Sequence, residues 1–296
     1  MMPAAPAPSL HIAFVGTGVM GASMAGHLLA AGHRLHVHNR TAARAQGLIA
    51  AGARWHESPG AAAAEAEVVI TMVGFPADVE QIHFGAGGIL ERVKPGTLLI
   101  DMTTSSPVLA RRIAEAAARK GCGGLDAPVS GGDVGAREAR LVIMAGGAAA
   151  DFERAKPLFE RMGKNIALLG PAGSGQSCKM ANQIAVAVGM VAWVEALAYA
   201  RKAGLDPAQV HASISGGAAG SWAMTHLAPR ALAGNFAPGF YVKHLLKDLK
   251  IALDSAREIG ADLPGLALAQ RVYEEVSAMG WQESGTQVLY RRYTES

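Results

Sequence analysis

The segment His11-Ile-Ala-Phe-Val-Gly-Thr-Gly-Val-Met-Gly21 joins a short apolar run to a glycine-rich turn. The residues up to Val15 predict a buried strand. The helical spacing of Met24 and Leu28 after the turn predicts a helix that stops near Gly32. A strand, a tight turn and a helix therefore follow one another near the start of the chain, and this unit decides the fold of the first half.

The three glycines of this turn have different physical roles. Gly16 permits the tight turn, Gly18 lets the backbone approach a pyrophosphate, and Gly21 lets the helix pack closely against the strand. The helix N-terminus adds free amides and a positive dipole, which attract phosphate oxygens. The turn therefore predicts a dinucleotide site, and its candidate cofactor contacts are Gly16, Thr17, Gly18, Val19 and Met20.

A second predicted strand, 34–38, is followed by Asn39-Arg40-Thr41. Sites that prefer NAD usually carry an Asp or Glu here, about twenty residues beyond the glycines, to bind the ribose 2′-hydroxyl. Asn39 has no charge that would repel a phosphate, Arg40 can pair with a 2′-phosphate, and Thr41 can donate a hydrogen bond. The alternative is an ordinary turn with an exposed arginine. With the glycines upstream, the pattern favours NADP, and NAD is the alternative cofactor.

Predicted strands and helices alternate as far as residue 169, which indicates an α/β fold with a Rossmann-type doubly wound parallel sheet. The later predicted strands are 68–72, 97–101, 122–127, 141–145 and 166–169, and predicted helices span 106–120 and 150–162. Loops at the carboxyl ends of such strands face the cofactor. They add four candidate contacts, Val73, Gly74, Phe75 and Thr104.

The segment Gly173-Ser-Gly-Gln-Ser-Cys-Lys-Met-Ala-Asn-Gln183 begins a long apolar helix, which Ser174 can cap. Lys179, Asn182 and Gln183 stand at i, i+3 and i+4 and project from one face. Because the helix is apolar all round, we expect burial on several sides and a partly desolvated Lys179, usable as a proton donor or acceptor. The alternative is a lysine that extends into solvent.

The domain boundaries follow from where this alternation stops. We expect a disordered tail at 1–9, an NADP-binding domain at 10–172 and an all-helical domain at 173–296, with the helix 173–203 between domains. The loop Asp126-Ala-Pro-Val-Ser-Gly-Gly132 offers free amides and a hydroxyl at Ser130, Gly131 and Gly132, which suit a carboxylate. The alternative for this loop is a polar turn.

Composition excludes several classes of function. Net charge is +3 without a basic block, which argues against nucleic acid and membrane surfaces as partners. Two cysteines make no disulfide framework and the histidines join no carboxylate cluster, so we expect no metal site. The Pro- and Ala-rich start lacks signal-peptide features, and polar residues interrupt the apolar helix. A membrane span is the alternative that the length of the helix leaves open, but we expect no span and a cytoplasmic protein.

Four motifs together resemble the β-hydroxyacid dehydrogenase family, which includes 3-hydroxyisobutyrate dehydrogenase and the tartronate semialdehyde and glyoxylate/succinic semialdehyde reductases. The resemblance covers nearly the whole chain after the tail. The motifs are Gly16-Thr-Gly-Val-Met-Gly21 with Met24-Ala25, Asp126-Ala-Pro-Val-Ser-Gly-Gly132, Gly173-Ser-Gly-Gln-Ser-Cys-Lys179 with Asn182, and Lys247-Asp-Leu249.

The resemblance implies that Lys179 is the general acid/base, that Asn182 positions the substrate or the lysine, and that Ser130, Gly131 and Gly132 hold the substrate carboxylate. It also implies that Thr104 touches the nicotinamide half, that Lys247 closes over the cofactor, and that Gln183, Trp222 and Phe240 contact the substrate. Two departures bear on the substrate: Gln183 stands where the family often has Asn, and Arg137-Glu-Ala-Arg140 replaces a small-residue turn.

These expectations describe an NADP(H)-dependent oxidoreductase that transfers hydride between the nicotinamide and a small β-hydroxy acid or semialdehyde acid. An imine reductase of the same architecture is one alternative, and Lys179 argues against it. A non-catalytic scaffold that binds the cofactor is another, but neither a partner-binding tail nor loss of the lysine supports it. The long helix, with Gly189 on it, suits packing between subunits in a homodimer or homotetramer.

Overall fold

The computed structural model describes residues 9–295. The chain divides into two compact units, with the boundary between Lys179 and Met180. Apart from Ser9, the expected tail lies outside the described residues.

The first unit is built on a sheet of nine strands among the described residues: β1 (His11–Val15), β2 (Arg34–His38), β3 (Arg54–Trp55), β4 (Val68–Thr71), β5 (Leu98–Asp101), β6 (Gly123–Asp126), β7 (Val129–Ser130), β8 (Leu141–Gly147) and β9 (Gly163–Leu168). The strand order is β3-β2-β1-β4-β5-β6-β8-β7, and β9 pairs with β8. The first six strands are parallel, whereas β8 runs antiparallel to β6 and β7. The doubly wound sheet is confirmed, but it is mixed and not wholly parallel.

Helices of the first unit connect these strands: α1 (Val19–Ala30), α2 (Gln46–Ala50), α3 (Pro59–Ala63), α4 (Pro76–Phe84), α5 (Ile89–Arg92), α6 (Pro107–Ala118), α7 (Gly132–Arg137) and α8 (Ala149–Phe159). A 3₁₀ turn, Ala42–Ala45, precedes α2. Alternate residues of β1 enter two apolar layers, Ile12 and Phe14 in one and Ala13 and Val15 in the other. Because both faces of the strand are covered, its sequence is a continuous apolar run.

The second unit is helical. The long helix α9 (Ser174–Lys202) crosses the boundary between the units, and the unit continues with α10 (Pro207–Ile214), α11 (Trp222–His226), α12 (Ala228–Leu232), α13 (Val242–Glu258), α14 (Pro264–Val276), the irregular turn Ser277–Trp281, a 3₁₀ turn Thr286–Val288 and α15 (Leu289–Thr294). Its core contains Trp193 of α9 and Tyr273 of α14. The predicted all-helical second half is confirmed.

The exposure of α9 differs from the expectation that the helix is buried on several sides. Val186 and Val188 are 38% and 37% exposed, and Tyr199 is 74% exposed. By length and composition α9 could cross a membrane, but a core helix of a soluble protein passes the same test, and half of its most apolar window is buried here.

Candidate active site

The glycine-rich turn after β1 shows why each glycine is required. Gly16 has a φ of +98°, and a Cβ there would lie 2.1 Å from the carbonyl oxygen of Met72. A Cβ at Gly21 would lie 1.9 Å from the carbonyl oxygen of Gly16, whereas a Cβ at Gly18 would meet nothing within 4 Å. Gly16 and Gly21 therefore serve the packing of the turn, and Gly18 leaves open space beside the backbone.

The same turn fits a phosphate-bearing cofactor. Gly18 is the N-cap residue of α1, no side chain caps this helix, and its first turn contains no acidic residue. The first amides of a helix have no partner within the helix, so they are available to an anion. The hydroxyl oxygen of Thr17 is buried and has no hydrogen-bond partner. An orphaned buried hydroxyl and open space at Gly18 are features that a bound pyrophosphate would satisfy.

The residues after β2 divide their roles. Asn39 Oδ1 accepts a hydrogen bond of 3.1 Å from the amide of Thr17, and Asn39 Nδ2 donates one of 2.9 Å to the carbonyl oxygen of Thr41. The Arg40 side chain is 89% exposed, and its Nη1 lies 3.3 Å from Asp78 Oδ1. Thr41 is exposed, and its side chain does not cap the turn that follows. Asn39 thus braces the glycine-rich turn, while Arg40 is accessible from solvent.

The loops after β4 and β5 lie at the same edge of the sheet as this turn, since β1, β4 and β5 are parallel neighbours. The amide of Val73 donates to Thr103 Oγ1 at 3.0 Å, so the two loops are joined. The amide of Phe75 donates to Asp78 Oδ2 at 3.1 Å, and Phe75 is 41% exposed. Gly74 and Thr104 are half-buried.

The N-terminus of α9 is capped by Asp126, the last residue of β6. Asp126 Oδ1 accepts from the amide of Gly173 at 2.7 Å, and Oδ2 accepts from the amide of Gln176 at 2.8 Å. Ser174 is already inside the helix, so its predicted capping role is wrong. Burial raises the pKa of Asp126 to about 6, although the two amide bonds act in the opposite direction. Sequence reasoning missed this contact because forty-seven positions separate Asp126 from Gly173.

Lys179 follows this anchored start of α9. Gln176 is fully buried, its Oε1 accepts from the amide of Ser105 at 2.9 Å, and its Nε2 donates to the carbonyl oxygen of Thr103 at 2.7 Å. Lys179 lies three residues further along and is 6% exposed. The expected burial of this lysine is confirmed, and the alternative of a side chain extending into solvent is wrong.

The predicted carboxylate loop has an unusual backbone. Ser130 pairs with Val142 at the edge of the sheet, and Gly131 and Gly132 follow with φ values of +131° and +63°. Residues with a side chain rarely adopt such angles, so the loop requires glycine at both positions.

The two arginines beyond this loop bind neighbouring carboxylates. Arg137 Nη1 lies 2.7 Å from Asp133 Oδ2, and Arg140 pairs with Glu138. Both guanidinium groups are exposed.

In the second unit, the amides of Asn182 and Gln183 join a buried carboxylate. Asn182 Nδ2 donates to Gln183 Oε1 at 2.7 Å, and Gln183 Nε2 donates to Asp248 Oδ2 at 2.6 Å. Lys247 Nζ lies 3.0 Å from the other Asp248 oxygen, and the Lys247 side chain is only 12% exposed. Asp248 was not predicted as a site residue; its place in the Lys247-Asp-Leu249 motif was the available signal. Lys247 also differs from Lys250, which is exposed and pairs with Asp254.

The two predicted aromatic residues of the substrate pocket have different environments. Trp222 is 65% exposed and stacks on His226 with ring centroids 4.6 Å apart. Phe240 is half-buried and packs against the core of the second unit. Neither ring is part of the fully buried core.

Three histidines, on β1, on β2 and directly after β3, bond to one another. His36 lies between His11 and His56, with ring nitrogens 3.1 and 2.9 Å apart, and burial lowers the pKa of His36 and His56. Within residues 9–295, no group of three His, Cys, Asp or Glu side chains could hold a metal ion.

Two family models together match nearly the whole chain, one in each half. Residues 11–170 match a family model described as the NAD-binding domain of 6-phosphogluconate dehydrogenase. Residues 173–293 match a model described as NAD-binding of NADP-dependent 3-hydroxyisobutyrate dehydrogenase. The chain belongs to the β-hydroxyacid dehydrogenase family. It is therefore an NAD(P)-dependent oxidoreductase that acts on CH–OH donors.

Relatives of this dehydrogenase family match over nearly their whole length. The uncharacterized oxidoreductase YkwC of Bacillus subtilis is 52% identical over 96% of this chain and 99% of its own. The 2-hydroxy-3-oxopropionate reductase of Escherichia coli is 41% identical over 92% of each chain. A solved structure of Mycobacterium tuberculosis 3-hydroxyisobutyrate dehydrogenase with L-serine is 33% identical, with a TM-score of 0.89 over 96% of this chain and 99% of that one.

Proposed function

We propose that this dehydrogenase uses NADP(H) to interconvert a small β-hydroxy acid and the matching semialdehyde acid, with Lys179 as the general acid/base. The observation that carries the proposal is the buried Lys179 at the start of α9, in the same unit as the glycine-rich turn. The start of α9 bonds to the end of β6 and to the loop after β5. The chain's relatives include a reductase of 2-hydroxy-3-oxopropionate, which supports a small carboxylate-bearing substrate.

The chemistry needs a proton at the substrate oxygen. When bound, the nicotinamide supplies or accepts the hydride at the carbon that carries this oxygen. Lys179 donates the proton to the carbonyl oxygen during reduction and stabilises the negative charge that develops there. In oxidation the same amine accepts the proton from the hydroxyl group.

Binding groups position the substrate for this transfer. The hydroxyl of Ser130 and the amides of Gly131 and Gly132 hold the substrate carboxylate. Asn182 positions the substrate or the lysine, and Gln183, Trp222 and Phe240 form the substrate pocket. Holding the reacting groups in place can supply much of the rate enhancement.

We propose that the cofactor binds at the carboxyl edge of β1, β4 and β5. The neutral Asn39 and the accessible Arg40 support a preference for NADP over NAD, as does the match to a family model described as NADP-dependent. Arg40 and Thr41 would bind the 2′-phosphate, and Lys247 would close over the cofactor. The remaining proposed contacts are Gly16, Thr17, Gly18, Val19, Met20, Val73, Gly74, Phe75 and Thr104.

Initial rates test this function. With purified protein, NADPH and NADH are each assayed against glyoxylate, tartronate semialdehyde, succinic semialdehyde and methylmalonate semialdehyde. The same assay on the cytoplasmic fraction of cells tests the expected location of the enzyme. We expect turnover that favours NADPH, and the rank order of substrates reports the size of the pocket. No turnover of any of them, with a cyclic imine reduced instead, would favour an imine reductase.

The role of Lys179 is tested by Lys179→Met, which keeps the length of the side chain but removes the amine. We expect kcat to fall by roughly a factor of a thousand or more with NADPH binding unchanged, because the proton donor is lost. Lys164→Met, at an exposed position in the same unit, is the matched control. Turnover that survives in Lys179→Met would reject this assignment.

A further inference from the structure

We propose that Asp126 is a positioning residue, whose ionised carboxylate anchors the start of α9 and thereby sets the orientation of Lys179. The inference rests on the proposed role of Lys179. It adds that catalysis depends on the charge state of a group that touches neither substrate nor cofactor.

The anchor has two bonds and little freedom. Each carboxylate oxygen of Asp126 accepts one amide of α9, at 2.7 and 2.8 Å. A Cβ on Gly146 of β8 would lie 2.7 Å from Asp126 Oδ1, and one on Gly175 would lie 2.3 Å from the carbonyl oxygen of Met144. The start of the helix therefore packs directly against sheet backbone, and the carboxylate is the group that fixes its register.

Gln176 carries this constraint towards Lys179. Its amide is held by Asp126, and its side chain is held by the backbone of Thr103 and Ser105. Lys179 lies one helical turn beyond, so a shift at Gln176 moves the amine with it. Catalytic groups must be placed closely, because a displacement of about 1 Å can cost about a hundredfold in rate.

The surroundings of Asp126 make its charge sensitive to pH. Helix α6 presents Ala110, Ile113 and Ala114 to the small cavity beside Asp126, and β8 presents Gly146. The Asp101 carboxyl on the paired strand β5 repels the charge, and Arg111 lies beside Gly173.

Burial, with Asp101 as a smaller contribution, raises the pKa of Asp126 to about 6. A protonated carboxyl has one good acceptor oxygen instead of two, so mild acid weakens one of the two amide bonds.

Asp126→Asn mimics the protonated group and tests the proposal in the full-length protein. We expect kcat at pH 8 to fall by roughly tenfold or more, with the NADPH dissociation constant within about twofold of wild type. Wild-type kcat should decline as pH falls through about 6, and Asp126→Asn should lack that decline. Asp151→Asn is the matched control, since Asp151 also accepts a backbone amide, that of Gly124, in the same unit.

Amide exchange provides a readout that does not need turnover. In Asp126→Asn, and in wild type at pH 5 compared with pH 7.5, protection factors at Gly173 and Gln176 should fall by roughly tenfold, because local detachment of α9 breaks the amide bonds but leaves the carboxyl buried, unlike global unfolding. If wild type reduces none of the acids, the proposed function fails, while exchange still reports whether Asp126 anchors the helix. Unchanged protection, or reduced protection with unchanged kcat, would overturn the proposal. If Asp126→Asn does not fold, the two wild-type pH series decide alone.

Discussion

Two glycines of the turn after β1 allow close backbone packing, and the third leaves open space beside the backbone. Gly16 and Gly21 approach backbone so closely that a Cβ cannot be accommodated, whereas Gly18 faces open space. We expect any substitution at Gly16 or Gly21 to lower the stability of the fold. We expect a substitution at Gly18 to change what the protein can bind.

The pair Gly21→Ala and Gly18→Ala separates these roles. Gly21→Ala forces a Cβ to within 1.9 Å of the carbonyl oxygen of Gly16, so we expect a loss of unfolding free energy of about 3 kcal/mol or more. Gly18→Ala should cost at most about 1 kcal/mol, yet weaken NADP(H) binding by roughly tenfold or more. Urea unfolding and fluorescence titration measure the two effects. Equal stabilities of the two variants would contradict this assignment.

Arg40 is the residue that should decide between the two nicotinamide cofactors. Arg40→Ala should weaken NADPH binding by roughly tenfold while NADH binding changes little, because only NADPH carries the 2′-phosphate. Asp78 competes for the same guanidinium at 3.3 Å, so Asp78→Asn should strengthen NADPH binding modestly. Arg44→Ala, at an exposed position nearby, serves as the control. If Arg40→Ala weakens NADH and NADPH binding equally, Arg40 does not bind the 2′-phosphate.

At the scale of elements, two buried ionisable groups of the first unit act on stability in opposite directions. His83 of α4 is fully buried, and burial lowers its pKa to about 4. As pH falls, His83 is therefore protonated in the unfolded chain before it is protonated in the folded protein. The free energy of unfolding consequently decreases between pH 6.5 and about 4. The pKa of Asp126 is raised, so its neutral form is favoured in the folded protein, and stability is gained as pH falls from about 6 towards 3.8.

Unfolding at two pH values tests these opposed effects. On acidification from pH 7 to 4.5, His83→Leu should lose about 2 kcal/mol less unfolding free energy than wild type, because the buried imidazole is gone. Asp126→Asn should lose about 2 kcal/mol more than wild type, because the compensating gain is gone. Urea unfolding curves at both pH values measure the differences. Changes of the same sign in both variants would show that one of the two pKa directions is wrong.

The same elements show which parts of the fold local sequence can specify. The strands predicted at 34–38 and 68–72 were found within one residue of their predicted ends, because their apolar runs and flanking turns are local signals. The two-residue strands β3 and β7 carry no measurable periodicity and were not predicted. The cap of α9 was assigned to Ser174, the nearest capping residue in sequence, whereas Asp126 reaches it through the tertiary fold.

The candidate site follows the same division. The burial of Lys179 was predicted from the apolar run that follows it in the helix. The pairing of Gln183 with Asp248 depends on which helices meet in the second unit, and no local pattern reports this. Motifs therefore nominated these residues as candidates, while the fold was needed to identify their hydrogen-bond partners.

For the whole molecule, the exposed apolar residues of α9 bear on its assembly. A helix of 29 residues with mean hydropathy 1.6 in its most apolar window exposes Val186, Val188 and Tyr199 in the isolated chain. Where exposed apolar side chains form a patch, they mark a contact with protein or membrane, and these residues make α9 the candidate for such a contact. We expect contact with a second copy in a homodimer or homotetramer, since a symmetric self-contact is the commonest assembly of such chains.

Tyr199→Glu tests that expectation. In wild type, light scattering should give the mass of a dimer or tetramer, and the protein should stay in the supernatant after membranes are pelleted. The glutamate at position 199 would have to be desolvated in the contact. We therefore expect the subunit dissociation constant of Tyr199→Glu to rise by roughly tenfold or more. Ile259→Glu, at a position 78% exposed in the same unit but outside α9, should leave the mass unchanged. If the wild-type protein is a monomer, the proposed subunit contact is wrong. If it is found in the membrane pellet, the exposed face of α9 contacts lipid instead.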